Sequence, residues 1–207
     1  MMINLNPEHL KQRFKDHVAT FTDYGNIKIL DFQNPGHCEY RIRFIFEEDH
    51  YRLHISGDLG ELTAYNYTNM RYDTFSDFTD NPGYFEEKIQ CHSRDLYVYD
   101  EDTAREELKK YCEEQEWELD ESWCETREEA IEEKLDDILH DFDDRRGLGS
   151  AGYEILSEMD PDAWEYASDL GKEGTGIIKL YMMAFKLAQE NLKKQEVQNE
   201  RNTEEEA

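Results

Sequence analysis

EYRIRFIFEEDHYRLHISGDLGELTAYNY, residues 39–67, decides the fold class of this chain. Tyr40, Ile42, Phe44 and Phe46 alternate with Arg41, Arg43 and Ile45, the period of two that sets one face of a strand on a core and leaves the other mostly polar. Glu47-Glu48-Asp49 turns the chain. A second strand, 51–56, sets Tyr51, Leu53 and Ile55 against Arg52 and His54, and Gly57-Asp58-Leu59-Gly60 supplies the positive-φ residues of a tight reversal. A third strand over 62–67 follows directly.

Outward from this block, Asn6-Pro7 opens a helix predicted to run to about residue 18, with Leu10, Phe14 and Val18 as a narrow apolar stripe suited to lying on a sheet. Asp23-Tyr24-Gly25-Asn26 breaks the chain before a strand at 27–32, and Asn34-Pro35-Gly36 turns it into the central block. After Tyr67 comes an acidic connector carrying Tyr72, Phe75 and Phe78, then a short helix over 84–91 and an edge strand at 96–99. Residues 1–99 thus read as an α+β domain, an antiparallel sheet of about four strands with an N-terminal helix.

From Asp100 the alternation gives way to helical spacing dense in acid. Ala104, Leu108, Tyr111 and Cys112 share one face; Thr126 with Glu129 makes a capping box for a helix that turns Ile131, Leu135, Ile138, Leu139 and Phe142 inward. A third helical segment covers 153–170. The last helix starts near Thr175, with Ile178, Tyr181, Phe185, Ala188 and Leu192 on one stripe and Ile177, Leu180, Ala184 and Leu187 on a second, so its first half is expected to be buried on two sides. Residues 100–200 form the expected acidic helical region, packed on the same core or beside it, and 201–207 a disordered tail.

Fifty acidic against 23 basic residues among 207 leave a net charge of −27, while 38% hydrophobic and 13% aromatic content is too apolar for a disordered acidic chain. Such a folded polyanion repels DNA, RNA and anionic lipid and is steered toward basic surfaces. Cys38, Cys91, Cys112 and Cys124 form no CxxC pair, and no signal peptide or long apolar run is present, so the expected setting is a reduced cytoplasm without a membrane anchor. His37-Cys38 and Cys91-His92 lack the paired short spacings of a structural zinc site.

No catalytic motif survives a geometric test. Around Asp141, Asp143 and Asp144, Arg145 and Arg146 stand where a calcium loop needs an oxygen ligand and its glycine. Gly171-Lys172-Glu173-Gly174-Thr175-Gly176 has the wrong order for a phosphate loop and reads as a helix cap followed by an N-cap. Asp136, Asp137, His140 and Asp141 are interleaved with apolar Leu139, and HExxH and Gly-x-Ser-x-Gly are absent. Catalytic residues, metal ligands and cofactors are therefore expected to be none.

The density of acid between Asp95 and Asp144 stands out, with Tyr111, Trp117 and Trp123 interleaved. Carboxylate pairs repeating along a helix approximate a row of phosphates, and like charges spaced i,i+4 cost a few tenths of a kcal/mol each unless a partner needs them. Glu113, Glu114, Glu116 and Glu118, and Glu129, Glu132, Glu133 and Asp136, are the expected contacts to that partner, lying off the apolar stripes.

The run Ile55-Ser56-Gly57-Asp58-Leu59-Gly60-Glu61, with Asp31 and Pro35-Gly36 before it and Tyr84-Phe85-Glu86-Glu87-Lys88, Cys91 and Ser93 after it, resembles a family of small proteins carried by phages and prophages of Gram-positive bacteria. The resemblance covers residues 30–94. Some members of that family are anti-CRISPR proteins that inhibit type II RNA-guided nucleases. It implies a non-catalytic inhibitor, acting in the bacterial cytoplasm, of a basic nucleic-acid-binding protein, with no direct nucleic-acid contact; the acidic helices after Asp100 are where this chain departs from it. The other readings are an acidic adaptor or scaffold and a metal-dependent enzyme. The C-terminal helix offers a surface for a homo-oligomer.

Overall fold

The computed structural model describes residues 6–115, 117, 119 and 124–205. Along the chain run α1 (Pro7–Arg13), β1 (Val18–Asp23), β2 (Ile27–Gln33), β3 (Ile42–Glu47), β4 (Arg52–Gly57), β5 (Leu62–Tyr65), α2 (Ser76–Thr79), α3 (Pro82–Glu86), β6 (Ile89–His92), β7 (Tyr97–Tyr99), α4 (Glu101–Glu114), α5 (Arg127–Leu139), α6 (Ser150–Met159), β8 (Lys172–Gly174) and α7 (Ile177–Glu205). Two units divide them. The first joins residues 1–96 to 175–207, and the second, 97–174, is inserted between.

In the first unit β1 to β6 pair in chain order, each antiparallel to the last. The alternation read from residues 39–67 fixes the register. One cross-strand row sets Phe21, Leu30, Phe44, Ile55 and Leu62 side by side, and the next sets Phe46, Leu53 and Ala64. Both rows face a core completed by Phe75, Phe78, Phe85 and the buried side of α7. Phe185 of α7 sits at the centre, its ring 4.8 Å from Phe75 and 5.4 Å from Phe44. Through Ala188 the expected stripes of the last helix are buried there, in the chain's own core, except Leu187, which is partly buried against it. Asn191 and Gln195 then turn polar groups onto the edge strand, Asn191 Oδ1 accepting from Ala19 N at 2.9 Å and Gln195 Nε2 donating to Ala19 O at 3.1 Å.

The α+β class holds, but the sheet has six strands instead of about four. The first helix stops at Arg13, and the chain turns so that Ala19, not Val18, enters the core, with half-buried Phe21 stacked on Tyr72 at 4.3 Å; Val18 is 42% exposed. β-branched Val18, Thr20 and Thr22 alternating with Ala19 and Phe21 form β1. The helix expected over 84–91 is only α3, and Ile89–His92 pairs with β5 through a bulge between Thr63 and Ala64. The edge strand expected at 96–99 leaves the sheet: β7 pairs with β8, in the stretch read as a helix cap and N-cap.

The second unit has its own core, in which Ala104, Leu108 and Cys112 of α4 meet Ile131, Leu135 and Ile138 of α5, with Leu156 and Ala163. Asp100 caps α4, accepting from Thr103 N at 2.8 Å, and Thr126 caps α5, its Oγ1 accepting from Glu129 N at 3.2 Å, while the Glu129 carboxylate of the expected capping box reaches Glu125 N instead. Helix α6 ends at Met159 because Asp160-Pro161 follows, and the rest of the predicted third helix is two 3₁₀ turns, Ala163–Glu165 and Ala167–Asp169. The boundary read at residue 99 therefore shifts little. The acidic region, however, closes at Gly174, since the apolar stripes of α7 bury against the sheet, and α7 continues to Glu205 through most of the expected tail.

Candidate partner-binding surface

The charge is divided as unevenly as the chain. Residues 97–174 hold 28 acidic and 8 basic residues, a net −20, and the rest of the protein carries the remaining −7. Most of the protein's net negative charge therefore lies in the second unit.

Within it, α4 and α5 are joined by ion pairs that use many of the acids expected to face a partner. Lys109 Nζ donates to Glu132 at 2.9 Å, and Arg105 reaches Asp136 at 2.7 Å and Glu132 at 3.3 Å. The hydrogen bond from Lys109, with that from Arg105 behind it, holds the Glu132 carboxyl below the usual carboxylate range. Glu129 folds back to accept from Glu125 N, one residue before the N-cap, at 2.8 Å, Glu114 pairs with Lys110 at 3.7 Å, and Glu133 accepts from the Cys124 thiol at 3.3 Å. Glu113 alone among the described members of the expected set is exposed without an ion pair or hydrogen bond. Glu116 and Glu118 lie outside the described residues, as does Trp123.

The aromatic anchors move as well. Trp117 is 4% exposed and belongs to the core, and Tyr111 stacks face to face on Tyr166 at 4.1 Å. Burial and a hydrogen bond to Asp160 push the Tyr166 phenol up. Among the described residues of this unit the exposed rings are instead Trp164 and Tyr153, which sequence reasoning passed over. The signal was there: Pro161 ends α6, and Ala163 and Ala167, four apart, turn into the core and leave Trp164 outside.

The rejected motifs have structural duties. Asp141 accepts from Ala151 N and Gly152 N, both at 3.1 Å, and so caps α6, while Asp143 accepts from Arg145 N at 2.9 Å. Gly171 takes φ +63° and gives its N–H to Glu107 Oε2 at 2.8 Å, with its carbonyl bonded to Asp100 N, so the glycine-rich stretch closes the unit.

On the first unit the sheet face away from α7 carries both charge signs beside half-buried Ile29 and Ile45: Arg43 grips Asp31 through two bonds of 2.6 and 3.0 Å, and His54 lies 3.0 Å from Thr63 Oγ1 and 3.4 Å from Glu47. Cys38 and Cys91 are exposed free thiols. Among the described residues no three His, Cys, Asp or Glu side chains converge to hold a metal ion, and no helix is long and apolar enough to cross a membrane. No protein-family model matches the chain, and no curated protein or solved structure matches it with significance.

Proposed function

We propose that this protein is a non-enzymatic inhibitor that binds a basic, nucleic-acid-handling protein through its inserted acidic unit. The observation that carries the reading is the net −20 packed into residues 97–174. A fold that gathers most of its charge in one unit raises the local potential there, speeds encounter with a cationic groove, and repels nucleic acid itself. Guanidinium groups that grip phosphate bidentately grip carboxylates as well. The resemblance of residues 30–94 to phage and prophage proteins makes a type II RNA-guided nuclease of the bacterial host the partner to try first, its guide channel or motif-reading arginines being the cationic surface.

Capture from a bacterial lysate on the tagged full chain, repeated after nuclease treatment and at raised salt, tests this. Nucleic-acid-binding proteins should be retained despite nuclease and released as salt screens the contact. In parallel, preincubation of a type II nuclease with the protein should block target cleavage. Capture that is indifferent to salt, or of proteins that handle no nucleic acid, favours an acidic adaptor and overturns the reading.

A further inference from the structure

Trp164 and Tyr153 are the large apolar side chains that the described part of the acidic unit leaves exposed, at 65% and 39%. They line one groove of about 390 Å³ together with Leu148, Ala167, Ser150 and Ser168. Elsewhere this protein covers ring faces with its own cations: Arg13 lies over Tyr40, Arg71 over Tyr51, Lys88 over Tyr84 and Lys172 over Tyr97. Among the described residues neither Trp164 nor Tyr153 has a cation or a second ring on its face, although Arg145 and Arg146 stand in the turn just before α6. Indole is the strongest π acceptor of the side chains.

The polar groups around the rings are unspent too. Ser150 and Ser168 are exposed hydroxyls without hydrogen-bond partners among the described residues, able to accept from N–H donors. Glu154 follows Tyr153 and Glu165 follows Trp164, with Glu158 and Asp162 between them in the chain; all four are exposed and make no ion pair, unlike Glu132 and Asp136. A flat apolar slot with hydroxyls, in a unit of net −20, complements a planar, weakly hydrated cation.

We infer that the Tyr153–Trp164 groove receives an arginine side chain from the basic protein partner, and that this groove, not the α4–α5 acid rows, is the anchor of the interface. The inference rests on the proposed function for the sign of the partner and goes beyond it in naming the anchor. Arginine is favoured over lysine because a guanidinium stacks on the indole while its edge N–H groups reach hydroxyls, whereas an ammonium holds its water.

The test uses octaarginine and octalysine as probes against the full chain, titrated by calorimetry near 0.15 M salt, about one Debye length of 8 Å. The wild type should bind octaarginine about fivefold more tightly than octalysine, and Trp164→Ala should erase that preference while changing octalysine binding less than about twofold. Ser168→Lys, which places a cation in the groove from within, should erase it as well, and Tyr67→Ala on the first unit should not. If both peptides bind but the preference survives Trp164→Ala and Ser168→Lys in folded protein, the groove is not an arginine site and the charge reading still stands. If neither peptide binds the wild type, both fall together.

Discussion

Arg105 of α4 and Asp136 of α5 meet at 2.7 Å, and the same guanidinium takes Glu132 at 3.3 Å. Two helices that would otherwise repel are clasped by the few cations the unit has. Arg105→Met should lower stability by about 1 kcal/mol, a figure held down because the Asp136 end is largely in solvent. Glu132→Lys should cost more, since it places a third cation beside Arg105 and Lys109. Urea unfolding checks both; midpoints equal to wild type would show that the clasp contributes nothing. Charge reversal at Glu132 or Asp136 therefore reports on folding as well as on binding.

His17 is 3% exposed, with Nε2 3.2 Å from the Tyr40 carbonyl and Nδ1 without a partner. Burial pushes its pKa below the ordinary 6.5, an effect only partly opposed by bonds to the Tyr40 and Glu39 backbone, with nearby His37 adding to it. Since the unfolded chain takes up the proton that the folded state resists, stability is full above pH 6.5 and falls as the pH drops below it. His17→Gln should flatten this decline. Unfolding midpoints between about pH 7.5 and 5 measure it, and equal slopes in both proteins would remove His17 from the account.

Gly152 of α6 packs against α5 so closely that an added β-carbon would lie 2.0 Å from the Ile138 carbonyl oxygen and 2.7 Å from Leu148 Cδ1. A backbone carbonyl in a helix cannot step aside. Gly152→Ala should destabilise by about 2 kcal/mol or more, although alanine is the better helix former. A thermal scan in which Gly152→Ala melts at or above wild type would contradict the close helix approach.

Tyr97 and Gly174, the ends of the inserted unit, are paired across β7 and β8, and the unit has its own buried cluster. Residues 97–174 expressed alone should fold, with a helical circular dichroism spectrum and one cooperative thermal transition. A fragment that melts without a transition would mean that the cluster is too small to stand alone.

Within the sheet, what could be read from the chain was whatever repeats at short range. Alternation in residues 39–67 specified β3, β4 and the start of β5, because one slip of register would turn Phe44 and Ile55 to water. The capping pair Thr126 and Glu129 announced α5, and the two stripes on α7 announced a helix buried on two sides. Composition alone marked the chain as a folded polyanion. Tertiary structure decided what depends on distant partners. Val18–Asp23 is a strand because β2 is there to pair with it, Ile89–His92 because β5 is, and Tyr97–Tyr99 left the sheet because Lys172–Gly174, far along the chain, offered its own hydrogen bonds. The same holds for charge. Glu132 and Asp136 look in the sequence like Glu154 and Glu165, and only the packing of α4 against α5 spends the first pair on Arg105 and Lys109, while the second pair stays exposed without an ion pair.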